Sequence, residues 1–154
     1  MSDHERSTVP PLLNRFMTAL LRSPFHRMAS RSVMLISFVG RKTGKQYTTP
    51  ISYSREGDQV TAFTGARWWR NLDGGVPVEL LIHRQHLRGW AEVVAEDKQA
   101  VADGLEAFLR RVRSDARFYN VKYTSGGEPN RWDVEQAAQR CVMLRIRLET
   151  EAGR

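Results

Sequence analysis

Residues 32–64 read SVMLISFV-GRKTGK-QYTTPISYS-REGD-QVTAFT, three extended runs separated by two glycine-containing turns. Ser32–Val39 and Gln46–Ser54 are rich in β-branched and aromatic residues, which suits strands. The turn Gly40-Arg41-Lys42-Thr43-Gly44 between them makes a hairpin, and Glu56-Gly57-Asp58 leads into a third strand, Gln59–Thr64. Pro50 has no N–H to give a ladder. It therefore marks an edge, a bulge, or a place where something other than a strand pairs.

Downstream, Gly65 to Gly75 (GARWWRNLDGG) predicts one or two helical turns stopped by the glycine pair. Val76–His83 and Leu87–Val94 predict another hairpin around Arg84-Gln85-His86. From Asp97 the spacing of Val101, Leu105, Phe108, Leu109 and Val112 predicts a helix, with Asp97 in its first turn and Arg110, Arg111 and Arg113 in its last. Asp133–Arg140 predicts a short helix, and the alternation of Cys141–Leu148 a sixth strand. Upstream, Leu12, Leu13, Phe16, Met17, Leu20 and Leu21 fall on one helical face, and Pro24 ends that helix. Its apolar face packs on the barrel or against a partner chain or, with Arg15, Arg22, Arg27 and Arg31 nearby, touches anionic membrane; packing is the favoured reading. Six short strands in sequential hairpins with flanking helices predict an α+β fold, a small, mostly antiparallel barrel. Residues 1–10 are expected to be a disordered tail, and 11–150 a single domain.

The chain has 154 residues, 41% hydrophobic, which suffices for one core without metal or disulfide. Its one cysteine, Cys141, excludes an internal disulfide framework and a multi-cysteine zinc site. No run approaches the roughly 20 apolar residues of a membrane span. With no signal-peptide pattern at the start, a reducing cytoplasm is the expected compartment, with membrane association through the first helix as the variant. The net charge is +7, and from Arg6 to Arg55 there are nine basic residues and no acidic one. Such a one-signed stretch attracts anions: nucleic acid, acidic lipid or a polyanionic cofactor. No nucleic-acid-binding module is recognisable, which disfavours the first.

Catalytic constellations are absent from the pattern. His4, His26, His83 and His86 have no metal-ligand spacing, and no G-x-S-x-G or G-x-G-x-x-G motif occurs. A cleft without acid, base or nucleophile belongs to a binding module or to an enzyme whose cofactor does the chemistry. The sharpest local feature is GRKTGK, with Arg41, Lys42 and Lys45 at a tight backbone turn. It either holds a phosphate or is a solvated hairpin tip; three residues between the glycines rule out a Walker A loop. Trp68 and Trp69, adjacent on a short helix, cannot both face one way: either one is core and the other lines a cleft or, the favoured reading, both cap a barrel end. Tyr119 and Tyr123, four apart, share a face if their segment is helical.

Val39-Gly40-Arg41-Lys42-Thr43-Gly44, then Thr48-Thr49-Pro50, then Trp69-Arg70-Asn71-Leu72, in this order after a basic helix, resemble the deazaflavin-dependent nitroreductase family. The resemblance runs from about Leu12 to Leu148. It implies a split β-barrel and coenzyme F420, with FMN as the alternative cofactor. It further implies that Arg41, Lys42, Thr43, Gly44, Lys45, Thr49 and Pro50 hold the phosphate and acidic tail. Gly65, Ala66, Arg67 and Trp69 would lie beside the ring, while Tyr119, Tyr123 and Trp68 would shape the substrate pocket. Tyr47 stands where family members commonly have a basic residue, and the ring-side loop is shortened to Arg67-Trp68. The activity implied is hydride transfer from reduced deazaflavin to a quinone-like or nitro compound, by a monomer or homodimer. A non-catalytic protein that binds the cofactor or another anionic ligand is the alternative.

Overall fold

The computed structural model describes residues 32–150. The N-terminal helix and tail expected above lie outside them. Six strands, β1 (Val33–Val39), β2 (Gln46–Glu56), β3 (Gln59–Thr64), β4 (Val76–Ile82), β5 (Gln85–Val94) and β6 (Val142–Leu148), close an antiparallel barrel in the order β1-β2-β3-β6-β5-β4. Helices α1 (Lys98–Arg111) and α2 (Arg131–Ala138) cover one side. This is the α+β barrel the hairpin spacing predicts.

Alternation decides which side chains fill it. Met34, Ile36 and Phe38 of β1 meet Val78, Leu80 and Ile82 of β4 and Leu144, Ile146 and Leu148 of β6 inside the barrel. On its outer side, Phe63 of β3 and Met143 of β6 join Val101, Leu105, Phe108 and Leu109 of α1 and Val134, Ala137 and Ala138 of α2 in a second core. Asp97 is the N-cap of α1 rather than part of its first turn; its side chain accepts the Ala100 N–H at 3.1 Å. Asn130 does the same for α2, accepting from Asp133 N–H at 3.1 Å. Each such cap is worth about 1 kcal/mol. Val112 lies one residue past α1, as its C-cap.

The barrel is split between β2 and β3. These strands pair only from Tyr53–Ala62 to Glu56–Gln59, so Gln46–Ser52 is bonded to β1 alone. Gly40 donates to the Lys45 carbonyl and Tyr53 to the Ser32 carbonyl, both at 2.8 Å. Hydrogen-bonded pairs alternate between these two, which leaves Pro50, opposite Leu35, with its nitrogen facing away from β1. Pro50 thus sits on a free edge, where its missing N–H breaks no ladder bond.

Two local expectations are corrected. The β4–β5 turn is two residues, His83 and Arg84, at φ 46° and 68°. This places Gln85 and His86 in the strand, because a turn with two positive φ values matches strand twist. The segment 113–123 is not one helix. A 3-10 stretch, Arg113–Tyr119, ends at left-handed Asn120, and Tyr123 is extended opposite Pro129. Tyr119 and Tyr123 therefore share no helical face. The 65–75 segment forms a 3-10 stretch, Arg67–Leu72, and both Trp68 and Trp69 are half-buried against the barrel core, which favours the capping alternative over a division between core and cleft.

Cys141 is buried just before β6, and burial pushes its thiol up to about 11, against the opposing pull of Lys98 and Arg140. The thiolate is the reactive species. Alkylation of the native protein at pH 8 is expected to run at least ~10-fold slower than after denaturation, as mass spectrometry of iodoacetamide-treated samples will read.

Candidate cofactor-binding site

The tip of the β1–β2 hairpin is a closed turn. Gly44 donates to the Gly40 carbonyl at 2.9 Å, and Lys45 N–H donates to the Thr43 hydroxyl at 3.2 Å. Gly44 has φ +67°, and a Cβ on Gly40 would fall 2.5 Å from the Tyr47 ring, so both positions need glycine. Tyr47 lies beneath the turn. Its hydroxyl is 3.2 Å from that of Thr43, and its ring stacks on Phe38, which in turn stacks on Trp68, with centroids 6.0 and 5.3 Å apart. Tyr47 thus gives the turn an aromatic floor.

That floor ties the hairpin to the 3-10 stretch, and one side chain clasps the two. The Asn71 carbonyl oxygen accepts the Arg41 backbone N–H at 3.0 Å, while its amide nitrogen donates to the Trp68 carbonyl at 2.9 Å. The Arg41 guanidinium lies over Gly74. Arg41, Lys42 and Lys45 are exposed, and among the described residues none of them forms an ion pair. Three open cations on a closed turn, with the Thr43 hydroxyl beside them, form a donor set suited to phosphate and carboxylate groups.

Thr49 and Pro50 lie on the free half of β2; Thr49 shares the strand face of Tyr53, which the barrel core buries. Gly65, Ala66 and Arg67 are exposed where β3 ends, with the Ala66 N–H held by the Thr64 hydroxyl at 3.1 Å. Trp69 is half-buried, with the Arg70 guanidinium 5.8 Å from its ring centroid. The structure therefore brings the Arg41–Lys45 turn, Trp68 and Asn71 together and places Trp69 against the barrel core.

The two tyrosines, each partly buried, pack against the helical core. Burial, followed by the nearby Cys141 and Asp115, raises the Tyr119 phenol well above its ordinary value, so it stays protonated. The Tyr123 hydroxyl donates to the Leu109 carbonyl at 2.8 Å and lies 3.3 Å from that of Arg113, whose guanidinium covers the ring at 4.1 Å. Tyr123→Phe is expected to cost about 1 kcal/mol through the lost hydroxyl bonds, read as a lower Tm.

Asn71 is the residue that a list of charged and aromatic positions omits. Its signal in the sequence is its place in W-x-x-N-L, where an amide supplies donor and acceptor together. Among the described residues no group of His, Cys, Asp and Glu could hold a metal ion, and no helix is long and apolar enough to cross a membrane.

None of the curated proteins matches the chain. Among solved structures, a domain-swapped dimer is similar at 15% identity and TM-score 0.52, covering 92% of this chain and 100% of that one. A pyridoxamine 5′-phosphate oxidase-related, FMN-binding protein from Nostoc punctiforme is similar at 11% identity and TM-score 0.50, covering 92% and 82%. An F420-H2-dependent reductase is similar at 14% identity and TM-score 0.49, covering 78% and 96%. At such identities these likenesses concern the fold. The model of the F420H(2)-dependent quinone reductase family matches residues 21–131, well over half of the sequence. The chain belongs to that family: it is an oxidoreductase, and its cofactor is coenzyme F420.

Proposed function

We propose that the protein reduces a quinone-like or nitro compound with F420H2. The reduced deazaflavin supplies a hydride and a proton, which together turn a quinone into a hydroquinone. Arg41, Lys42, Thr43, Gly44, Lys45, Thr49 and Pro50 hold the phosphate and acidic tail. Gly65, Ala66, Arg67 and Trp69 flank the ring, and Trp68, Tyr119 and Tyr123 bound the acceptor side. The observation that supports this reading most is the Asn71 clasp, which makes the cationic turn and the ring-side segment one rigid wall. In this reading the chain's own groups bind and orient; none of them is asked to act as acid or base.

Anaerobic titration with F420 followed by turnover of F420H2 with menadione and with a nitroimidazole tests it. Binding together with acceptor-dependent oxidation is the expected result. Tight binding without turnover would identify a carrier. The tyrosine assignment has its own check: Tyr119→Ala is expected to raise the acceptor KM more than the F420 Kd. The reverse ordering would move Tyr119 to the cofactor side. The cytoplasm is the compartment we propose. Contact of residues 1–23 with anionic membrane would show as cosedimentation with anionic vesicles that vanishes when they are deleted.

A further inference from the structure

The barrel has a second mouth, at the end away from the cofactor turn. β1 separates the two: its seven residues, at about 3.3 Å each, set them roughly 20 Å apart. At this far end a cavity of about 490 Å³ opens between the strands and the end of α1. Tyr53 of β2 and Ile82 of β4, which belong to the barrel core, line it. Arg111, Val112, Arg113 and Ser114, where α1 passes into the 3-10 stretch Arg113–Tyr119, form one side. Ser32, Ser54, Arg55 and His83 complete it. Barrel mouths are common places for small-molecule sites, and this volume is in their range.

Its lining is cationic. Arg55, Arg111 and Arg113 line it together with Ser32, Ser54 and Ser114, and no acidic residue does. Backbone carbonyls hold the three guanidiniums in place. Arg55 donates to the Gly57 carbonyl and Arg113 to that of Gly127, both at 2.9 Å, and Arg111 donates to the carbonyl of Arg55 itself at 3.4 Å. Arg111 also pairs with the exposed Glu56 at 3.4 Å. Among the described residues, Arg55 and Arg113 have no ionic partner. Each guanidinium has five donors, so these bonds leave most of them open. Oriented guanidiniums whose charge is not neutralised bind anions strongly. Asp115, next to Ser114 in the chain, is buried and lies outside the lining. The turn that carries His83 adds a second sign. His83 and Arg84 hold φ values of 46° and 68°, where Asn-Gly fits with less strain, and backbone strain gathers at ligand sites.

One guanidinium fork satisfies a carboxylate. Three arginines with serine hydroxyls match the three oxygens and nearly double charge of a phosphate group, and the cavity leaves room for the body that carries it. We propose that this mouth is a second anion site, which binds a small phosphate ester. The probes are adenosine 5′-monophosphate (AMP), adenosine and inorganic phosphate, titrated calorimetrically into the full chain without F420. AMP is expected to bind at least ~10-fold more tightly than adenosine, with phosphate competing, because a charge-assisted contact is worth that factor or more. Arg55→Gln and Arg113→Gln are each expected to weaken AMP binding at least ~10-fold and to leave F420 affinity unchanged. Lys42→Ala is expected to leave AMP binding unchanged, which separates this mouth from the cofactor turn. His83→Asn suits a left-handed position better; it is expected to raise Tm and to weaken AMP binding at least ~3-fold. Circular dichroism melts establish that each variant folds. Should Arg113→Gln fail to fold without its cover over the Tyr123 ring, Arg55→Gln decides. The AMP measurements stand whether or not F420 binds. Failure of AMP and phosphate to bind, or a folded Arg55→Gln variant that binds AMP as wild type does, overturns the proposal. Loss of AMP binding in Lys42→Ala overturns it too.

Discussion

Replacing Lys42 by alanine is expected to weaken F420 binding by about 10- to 150-fold. A charge-assisted contact is worth roughly 1.5–3 kcal/mol when partly desolvated, and each 1.4 kcal/mol is tenfold. Lys42 is exposed on a turn whose shape its side chain does not maintain; the internal bonds run through Gly40, Thr43, Gly44 and Lys45. The variant should therefore fold as wild type does and lose only the contact. Affinity is expected to fall with added salt, less steeply for Lys42→Ala than for wild type, because screening acts on the charge that was removed. Turnover at saturating F420 is expected to change little, since the lost interaction binds ground state and transition state alike. A solvated hairpin tip behaves differently. Affinity, salt slope and rate would then all stay within about twofold of wild type, as surface substitutions seldom exceed ~0.5 kcal/mol. Isothermal titration of both proteins at two salt concentrations separates the two outcomes.

Asn71→Leu is expected to lose about tenfold or more in F420 affinity and to lower Tm. It removes both hydrogen bonds of the clasp, each worth about 1 kcal/mol, and leaves the Arg41 N–H and the Trp68 carbonyl without that partner. The turn then keeps its charges but not its position against the 3-10 stretch. Asn71→Asp distinguishes positioning from charge. Its carboxylate still accepts the Arg41 N–H but offers no donor to Trp68, and it adds a negative charge beside the anion-binding cations. This variant is expected to recover part of the Tm while binding F420 more weakly than Asn71→Leu at low salt. If Asn71→Leu binds F420 within twofold of wild type, the clasp is a stability feature only.

The fold was legible because its signals are local. Alternation in VMLISFV and CVMLRIRL, the glycine turns and the periodicity of α1 each depend on neighbours along the chain. Where a local signal competes with another, the reading slipped. His83-Arg84 form a left-handed turn with residues that ordinarily avoid one, and the aromatic run 118–123 has no periodicity to distinguish 3-10 from extended chain. The meaning of Pro50 was narrowed by its chemistry to three cases; the divergence of β2 from β3 selected the free edge.

The site divides along the same line. By itself the sequence determined that an acid-free, cationic turn with two glycines follows the first strand, and that a W-x-x-N-L segment follows the third. Charge and residue type are covalent properties, and a reader of the chain has them whole. Only the tertiary structure decided that these two pieces meet. Asn71 and Arg41 are 30 residues apart, and nothing local aims an amide at a distant N–H. Barrel closure does so, by stacking Trp68 on Phe38 and Phe38 on Tyr47 and so bringing the 3-10 stretch against the hairpin tip. The packing of the helices on the outer side of the barrel set Tyr119 and Tyr123 against the helical core and gave the Tyr123 hydroxyl to the end of α1, a pairing 14 residues long that spacing does not encode.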